Sequence, residues 1–366
     1  MEILFVLGRN PKLSYAEVLS YLQSHYIPYS VNLFKQNFLI VEVVDGTKID
    51  IQEFGGVLKM ADVNSFESEK DFDKYLSKYF VEDQKFSFSV LGSADEEIED
   101  KLMKRFKEEK AKAQIRHGKA RLKLQEGDQI EMTNADVEFF YFKDEKKVYF
   151  AKIRQDYSYV EVKDRDMNKP FRREELAISP RLAKILVNLS QTKKGQLLVD
   201  PFCGIGGIMQ EALLKGINCF GIDIEKDAIS GAKKNLLWLD KKYKLNAQYK
   251  LMNADSRDLA NINIDGVATE TALGELVKRK LMDKEANQYV QNFLRMIIPI
   301  LKTIKQLKTK EARIVLTMPY IRQFSVNFEE ICKYTGLKVA NIEGIEMPIK
   351  EFRDDQYVSR DIIVFE

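Results

Sequence analysis

Histidine is nearly missing from this 366-residue chain: His25 and His117 are the only two. Chemistry built on a histidine base or a histidine-ligated metal is therefore not expected. Cysteine is almost as scarce. Cys203, Cys219 and Cys332 are odd in number and widely spaced, which argues against a disulfide framework and against a zinc site. No apolar run approaches the roughly 18 to 20 residues of a membrane span, the longest candidates being short ones such as MIIPIL at Met296–Leu301. The start, MEILFVLG, has an acid at Glu2, no basic region and an early Gly8, and reads as a first strand, not a signal peptide. A cytoplasmic protein with no membrane and no metal partner is expected. Net charge is only +2, from 58 basic and 56 acidic residues, so no global polycation points to a nucleic acid.

What is present is more specific. From Lys101 to Lys123, ten Lys or Arg residues face two acids, Glu108 and Glu109. Such a stripe can neutralise phosphates, and Lys104, Arg105, Lys112, Arg116, Lys119 and Arg121 are its RNA-binding candidates. Its bland reading, a solvated helix face followed by an ordinary strand, is favoured by charge alone.

With 45% hydrophobic and 31% charged residues, the chain has enough material for a large core and more than one domain. EILFVLG and FLIVEVV read as strands around a helix at Ser14–Ser24 capped by Ser14. A second α+β block begins near Lys85, where KFSFSVLG precedes a charged helix from about Asp95 to Ala113, and VEFFYF with KVYFAKI forms a β-hairpin. A polar, Arg-rich connector leads to Ser179 and Pro180, a good helix start. From Gln196 strands and helices alternate: LLVD, GGIMQEALLKG, NCFGID, KDAISGAKKNLLWL, YKLMNAD, IDGVATE, a long helix around Asp283–Leu307, ARIVLTM and a helix over Phe324–Tyr334. Alternation of this kind predicts a mostly parallel α/β sheet covered on both faces. The last two strands, LKVANIEGI and DIIVFE, have no helix between them and add one antiparallel strand. The expected domains are 1–80, 81–160 and 179–366, with a linker at 161–178.

The most informative stretch is VDPFCGIGGIMQEA, Val199–Ala212. A buried strand ends at Asp200, and a loop with Gly204, Gly206 and Gly207 opens directly into a helix, whose first N–H groups are unpaired. It lacks the Lys-Ser/Thr ending of a Walker loop and differs from G-x-G-x-x-G by its Asp-Pro opening and Phe202. Asp223, twenty-three residues after Asp200 at the end of the second strand, is placed to accept hydrogen bonds from ribose hydroxyls. Asp255, after the third strand, is placed to reach an adenine amino group. Asp200 organises the loop or meets the amino group of a methionine-like moiety. Phe202, Ile224 and Ser256 complete the cofactor-binding set.

This combination resembles the S-adenosylmethionine-dependent class I methyltransferases. More narrowly, DPFCGIGGIMQEA, the upstream RDMNKPFRREELAISPRLAKILVNLS and the opening FVLGRNPKLSYAEV resemble the family that methylates the N2 amino group of guanosine 10 in tRNA. The resemblance implies a Rossmann-like seven-stranded catalytic domain preceded by a ferredoxin-like region and a THUMP RNA-binding domain. It also implies S-adenosylmethionine as cofactor and tRNA as partner, with a small activator subunit as a further candidate. In that family the fourth strand ends in Asp-Pro-Pro-Tyr-Gly or a close variant, whose carboxylate and carbonyl accept the amino protons while the aromatic ring stacks on the flipped base. Here the matching residues are Glu270, Thr271, Ala272, Leu273 and Gly274. The carboxylate and glycine survive; both prolines and the aromatic do not. Glu270 and the Thr271 carbonyl are thus the catalytic candidates. The alternatives are a catalytically silent tRNA-binding relative or partner subunit, and a methyltransferase for adenine N6 or cytosine N4.

Overall fold

Glu17, a carboxylate on the first helix, is fully buried and decides where that helix belongs. Its two oxygens accept hydrogen bonds from the Gly55 and Gly56 N–H groups and the Asn188 amide, each at 2.7 Å. The close approach requires glycine at both turns, because a Cβ on Gly55 would collide with the Arg181 carbonyl and one on Gly56 with Ser14. The protein, seen in a computed structural model, divides accordingly into two compact units. One is Met1–Pro11, Ile27–Glu53 and Val57–Tyr157; the other is Lys12–Tyr26, Phe54–Gly56 and Ser158–Glu366. The structure describes residues 1–80, 83–93, 96–118, 120–124, 129–173, 178–271, 279, 281–352 and 357–366, with only the backbone at 120–122 and 129–132.

Through residue 157 the order is β1 (Glu2–Leu7), α1 (Pro11–Ser24), β2 (Tyr29–Lys35), β3 (Phe38–Val43), β4 (Val57–Phe66), α2 (Glu69–Leu76), β5 (Lys85–Gly92), α3 (Glu96–Glu108), β6 (Lys112–Ile115), β7 (Ala120–Lys123), β8 (Gln129–Met132), β9 (Val137–Lys143), β10 (Val148–Lys152) and β11 (Gln155–Asp156). In the first unit β2-β3-β1-β4-β10-β9-β5-β6 form one sheet, with β11 also on β4. The expected 1–80 and 81–160 blocks therefore share a sheet through the β4–β10 pairing. Phe72, Phe86, Phe88, Phe106, Phe139 and Phe150 fill the core beneath α2 and α3. Buried aromatics carry most of that interior's apolar area.

Beyond residue 157 come α4 (Tyr159–Met167), α5 (Pro180–Leu189), β12 (Leu197–Asp200), α6 (Gly207–Leu214), β13 (Asn218–Asp223), α7 (Lys226–Tyr243), β14 (Tyr249–Asn253), β15 (Gly266–Thr269), α8 (Asp283–Leu307), β16 (Ile314–Ile321), β17 (Phe324–Ser325), α9 (Phe328–Thr335), β18 (Ile349–Glu351) and β19 (Ser359–Phe365). The sheet order is β14-β13-β12-β15-β16-β19-β18, with β17 on β16. β12 to β16 run parallel, and β19 runs antiparallel to β16. The apolar face of α8 (Val290, Phe293, Ile297, Leu301) packs on Ile314, Leu316, Ile363 and Phe365.

Several elements differ from the sequence reading. α1 starts at Pro11, a first-turn residue that loses no bonded N–H, and Ser14 is buried inside it, not at its cap. α3 stops at Glu108, and the residues that extend its charged run begin β6. α4 lies largely in what composition marked as connector: only its Val162 and Arg165 are buried, while Tyr159, Val160 and Met167 are exposed, so its apolar residues form no buried helical stripe. α9 begins at Phe328 because Asn327 caps it, accepting from the Glu329 and Glu330 N–H groups. In LKVANIEGI only isolated bridges form; the hairpin partner of β19 is instead β18.

Candidate active site

Five parallel strands bring their carboxyl ends to one edge of the second unit's sheet. From β12 the chain builds outward through β13 and β14, then crosses back to β15 and β16. Ligands of open α/β sheets bind outside the carboxyl ends at such a reversal, here between β12 and β15.

Asp200, at the end of β12, is buried and spans that reversal. Its Oδ1 accepts from the Thr269 hydroxyl on β15 at 2.6 Å and from the Phe202 N–H at 3.2 Å. These bonds tie the end of β12 to β15 and to the loop that follows it. Burial raises its carboxyl to about 7, the Thr269 and Phe202 hydrogen bonds oppose that rise, and the charges of Asp223 and Glu270 add to it. Between about pH 4 and 7 the folded chain holds a proton on Asp200 that the unfolded chain has lost, so stability falls as pH rises through this window and levels above it. Each unit of raised pKa is worth about 1.4 kcal/mol. Asp200→Asn should flatten that slope in urea-midpoint measurements from pH 5 to 8; an unchanged slope would assign it to another group.

Asp223, closing β13, accepts from the Gly204 N–H at 2.9 Å through Oδ2 and from the Glu225 N–H at 2.8 Å through Oδ1. It therefore ties the second strand's end to the glycine loop. Gly204 faces open space where a Cβ would stand, and Gly206 enters α6 at φ 83°, a conformation that favours glycine. Ile224, next to Asp223, is 72% exposed. Asp255 is engaged by Arg257, whose Nε and Nη2 lie 2.9 and 2.6 Å from its two oxygens. Those hydrogen bonds, with the Arg257 backbone N–H, hold its carboxyl down at about 2. The Ser256 hydroxyl donates to the Pro201 carbonyl, joining the turn after β14 to the loop after β12.

Two residues that the sequence reading did not single out complete this arrangement. Thr269 is one. The other is Asn235, fully buried on α7, whose amide donates to the Ile205 and Phe171 carbonyls, each at 3.0 Å, and accepts from the Phe171 N–H at 2.9 Å. It was visible as a polar residue inside the stripe Ala228, Gly231, Ala232, Leu236, Leu239. Asn235→Ala strips a partner from the buried Ile205 carbonyl, at about 1 to 3 kcal/mol when left unmet, and from the half-buried Phe171 N–H and carbonyl, which water can partly satisfy. Weaker cofactor binding and a lower urea midpoint are expected together by calorimetry and denaturation.

Glu270 follows β15. Its Oε1 accepts from Arg360 Nε on β19 at 2.6 Å, with side-chain exposures of 13% and 8%. Thr271 is buried and doubly tied to Thr317 on β16, donating through Oγ1 to the carbonyl at 2.6 Å and through N–H to the hydroxyl at 3.2 Å. Ala272, Leu273 and Gly274 lie outside the described residues.

The basic stripe belongs to the first unit and is only partly available. Lys104, Lys112 and Arg116 are exposed, with Arg116 donating to the Asn134 carbonyl at 2.8 Å. Arg105 is instead spent on structure: its Nε donates to the Tyr79 carbonyl at 2.8 Å, and its guanidinium pairs with Glu108 and Glu109. Lys119 and the side chain of Arg121 lie outside the described residues.

A family model described as DNA methylase, N6/N4 methyltransferase, matches residues 14–234, more than half of the chain. The chain belongs to the N6/N4 methyltransferase family. A second model, RMKL-like methyltransferase domain, matches residues 170–324. Among curated proteins, the tRNA (guanine(10)-N2)-dimethyltransferase of Methanothermobacter thermautotrophicus is 36% identical over 99 residues, 27% of this chain and 28% of that protein. The protein of the same name from Pyrococcus abyssi is 46% identical over 68 residues, 19% of this chain and 20% of that one. The chain thus spans less than a third of the length of either relative. Among solved structures, TrmN from Thermus thermophilus aligns over 100% of this chain and 99% of its own, at 12% identity and a TM-score of 0.53, a likeness of fold.

S-adenosylmethionine is the methyl donor of such a methyltransferase, and the residues fit it. Gly204 leaves room for close backbone approach, Asp223 presents a carboxylate at the strand end, and exposed Ile224 offers an apolar surface for a flat ring. When bound, the cofactor supplies an electrophilic methyl on its sulfonium. Among the described residues no group of three or more His, Cys, Asp and Glu stands ready for a metal, and no helix is long and apolar enough to cross a membrane.

Proposed function

We propose that this methyltransferase modifies the exocyclic N2 amino group of a guanosine in tRNA, in the cytoplasm, with Glu270 and the Thr271 carbonyl accepting the two amino protons' hydrogen bonds. The carrying observation is the position of Glu270: it follows the strand that flanks β12 across the reversal, and Arg360 fixes the direction of its carboxylate. A guanine amino nitrogen is a poor nucleophile because its lone pair is delocalised into the ring. Two acceptors that grip its protons localise that pair toward the methyl, and positioning contributes the rest. The named tRNA relatives support guanosine and tRNA. Lys104, Lys112 and Arg116 support RNA docking through phosphate charge, since paired RNA presents little readable sequence.

The DNA methylase model supports a second reading, methylation of adenine N6 or cytosine N4. Labelled methyl transfer from S-adenosylmethionine to unmodified tRNA transcripts and to DNA, followed by nucleoside mass analysis, separates the two. N2-methylguanosine is the expected product; N6-methyladenosine or N4-methylcytosine would establish the second reading. No product from a preparation that binds cofactor and tRNA, with and without a small activator subunit, would replace both with a silent RNA-binding relative.

A further inference from the structure

The ladder between β15 and β16 ends in an exchange of partners. The Val267 N–H donates to the Arg313 carbonyl at 2.9 Å, and the strands stay in register through Thr269 and Leu316. A parallel ladder repeats at every second residue, so its continuation would bring the Thr271 N–H to the Thr317 carbonyl. That bond is not the one formed. The Thr271 hydroxyl donates to the Thr317 carbonyl at 2.6 Å, and the Thr271 N–H turns to the Thr317 hydroxyl at 3.2 Å. Thr271 is 1% exposed and Thr317 is 0% exposed, so water does not compete for either bond.

The exchange fixes Thr271 at two points. Its nitrogen is tied through the N–H and its Cβ through the hydroxyl, both to one residue, which holds the rotation about N–Cα. A proline ring removes the same freedom covalently, and this chain has threonine where the resembled motif carries its first proline. The register places the anchor beside the Glu270 brace. Thr317 lies opposite Ile362 and Pro319 lies opposite Arg360, so Thr317 and Arg360 are diagonal neighbours on one face of the β16–β19 pair. Glu270 and Thr271 are each gripped from that face.

We propose that Thr317 is the positioning residue of the acceptor pair, a role that rests on the reading of the Thr271 carbonyl as an acceptor for the target amino group. Thr317 touches no substrate. It acts through Thr271, holding that residue so that its carbonyl and the Glu270 carboxylate keep one spacing while the methyl is transferred. Two hydrogen bonds thereby do what the absent proline does elsewhere.

The hold and the rate are measured separately. Hydrogen exchange of the Thr271 amide, followed by NMR with labelled threonine on the full chain saturated with S-adenosylhomocysteine, reports the hold. Exchange should be slow in the parent and in Thr317→Ser, which keeps the hydroxyl, and at least about a hundredfold faster in Thr317→Val, which keeps the shape without it. Steady-state methyl transfer to tRNA reports the rate. Thr317→Val should lower kcat by about 30- to 100-fold with KM and cofactor affinity within about twofold, and Thr317→Ser should recover all but about threefold of the loss. Thr271→Pro placed in the Thr317→Val background should regain about tenfold, because proline has no N–H to satisfy and its ring restores the fixed rotation. Should Thr317→Val fold poorly, Thr271→Val removes only the other bond and should cost about tenfold in kcat. A Thr317→Val variant whose amide stays protected, or whose amide is released while kcat stays parental, would overturn the role of Thr317. Thr317→Ser as slow as Thr317→Val would reduce it to packing. A parent that protects the Thr271 amide yet transfers methyl to no nucleic acid fails instead at the proposed function, and the positioning role falls with it.

Discussion

Glu270→Gln should reduce methyl transfer by about a thousandfold or more while leaving S-adenosylmethionine affinity within about twofold, given the 10²–10⁴-fold typical of a positioned proton-handling group. Glutamine is the informative substitution. Its amide oxygen still accepts from Arg360 Nε, so the contact now made at 2.6 Å persists and only the charge and one acceptor are lost. Alanine would instead leave Arg360, at 8% exposure, without this partner, mixing a stability defect with a chemical one. Arg360→Met gives the complementary result: the carboxylate remains but its direction is released, so kcat should fall by about a hundredfold with KM little changed. Single-turnover transfer to tRNA with saturating cofactor reads both. Activity of the glutamine variant within tenfold of the parent would remove Glu270 from the chemistry, and the tRNA reading would need another acceptor for the amino protons.

The order of the second unit was legible because its patterns are local. Strands ending in Asp200 and Asp223, the glycine loop between them and α8 over Asp283–Leu307 each announce themselves within a dozen or two residues. What escaped the sequence depends on contacts far apart in the chain. Glu270 and Arg360 meet across 90 positions, and Asn188 reaches Glu17 across 171. The role of α1 was hidden for the same reason: its residues read as part of an N-terminal domain, yet Glu17 commits it to Gly55, Gly56 and α5. The basic stripe was misleading in part because charge in sequence does not reveal partners, and Arg105 spends its charge on Glu108 and Glu109. Asp255 illustrates the converse. Its place at a strand end was legible, but its grip by Arg257, two residues on, sets its electrostatics.

Glu211→Ala should be the most destabilising single change in the second unit, at about 3 to 5 kcal/mol, because it breaks a buried ion pair and leaves the cation behind. Arg165 on α4 reaches Glu211 on α6 through Nε at 2.7 Å and Nη2 at 3.1 Å, and both side chains are almost wholly buried. Burial alone would lower the Arg165 guanidinium; the charge and hydrogen bonds of Glu211 outweigh it and hold it above its usual value. Glu211 also faces Lys184 at 4.0 Å, whose ammonium burial depresses. One carboxylate thus serves two buried cations. Its location links this to the proposed function: α6 is the helix that the glycine loop opens, so loosening its tie to α4 should disturb Gly206 and Gly207 as well as the core. The urea midpoint should drop sharply and cofactor affinity with it. The double variant Arg165→Met/Glu211→Leu provides the decisive comparison, since an apolar pair of similar volume removes both charges and neither is stranded. Recovery of most of the lost stability would mean that the cost lay in the abandoned arginine. A double variant as unstable as Glu211→Ala would mean that the bidentate pairing itself holds α6 against α4, and that no apolar packing substitutes for it.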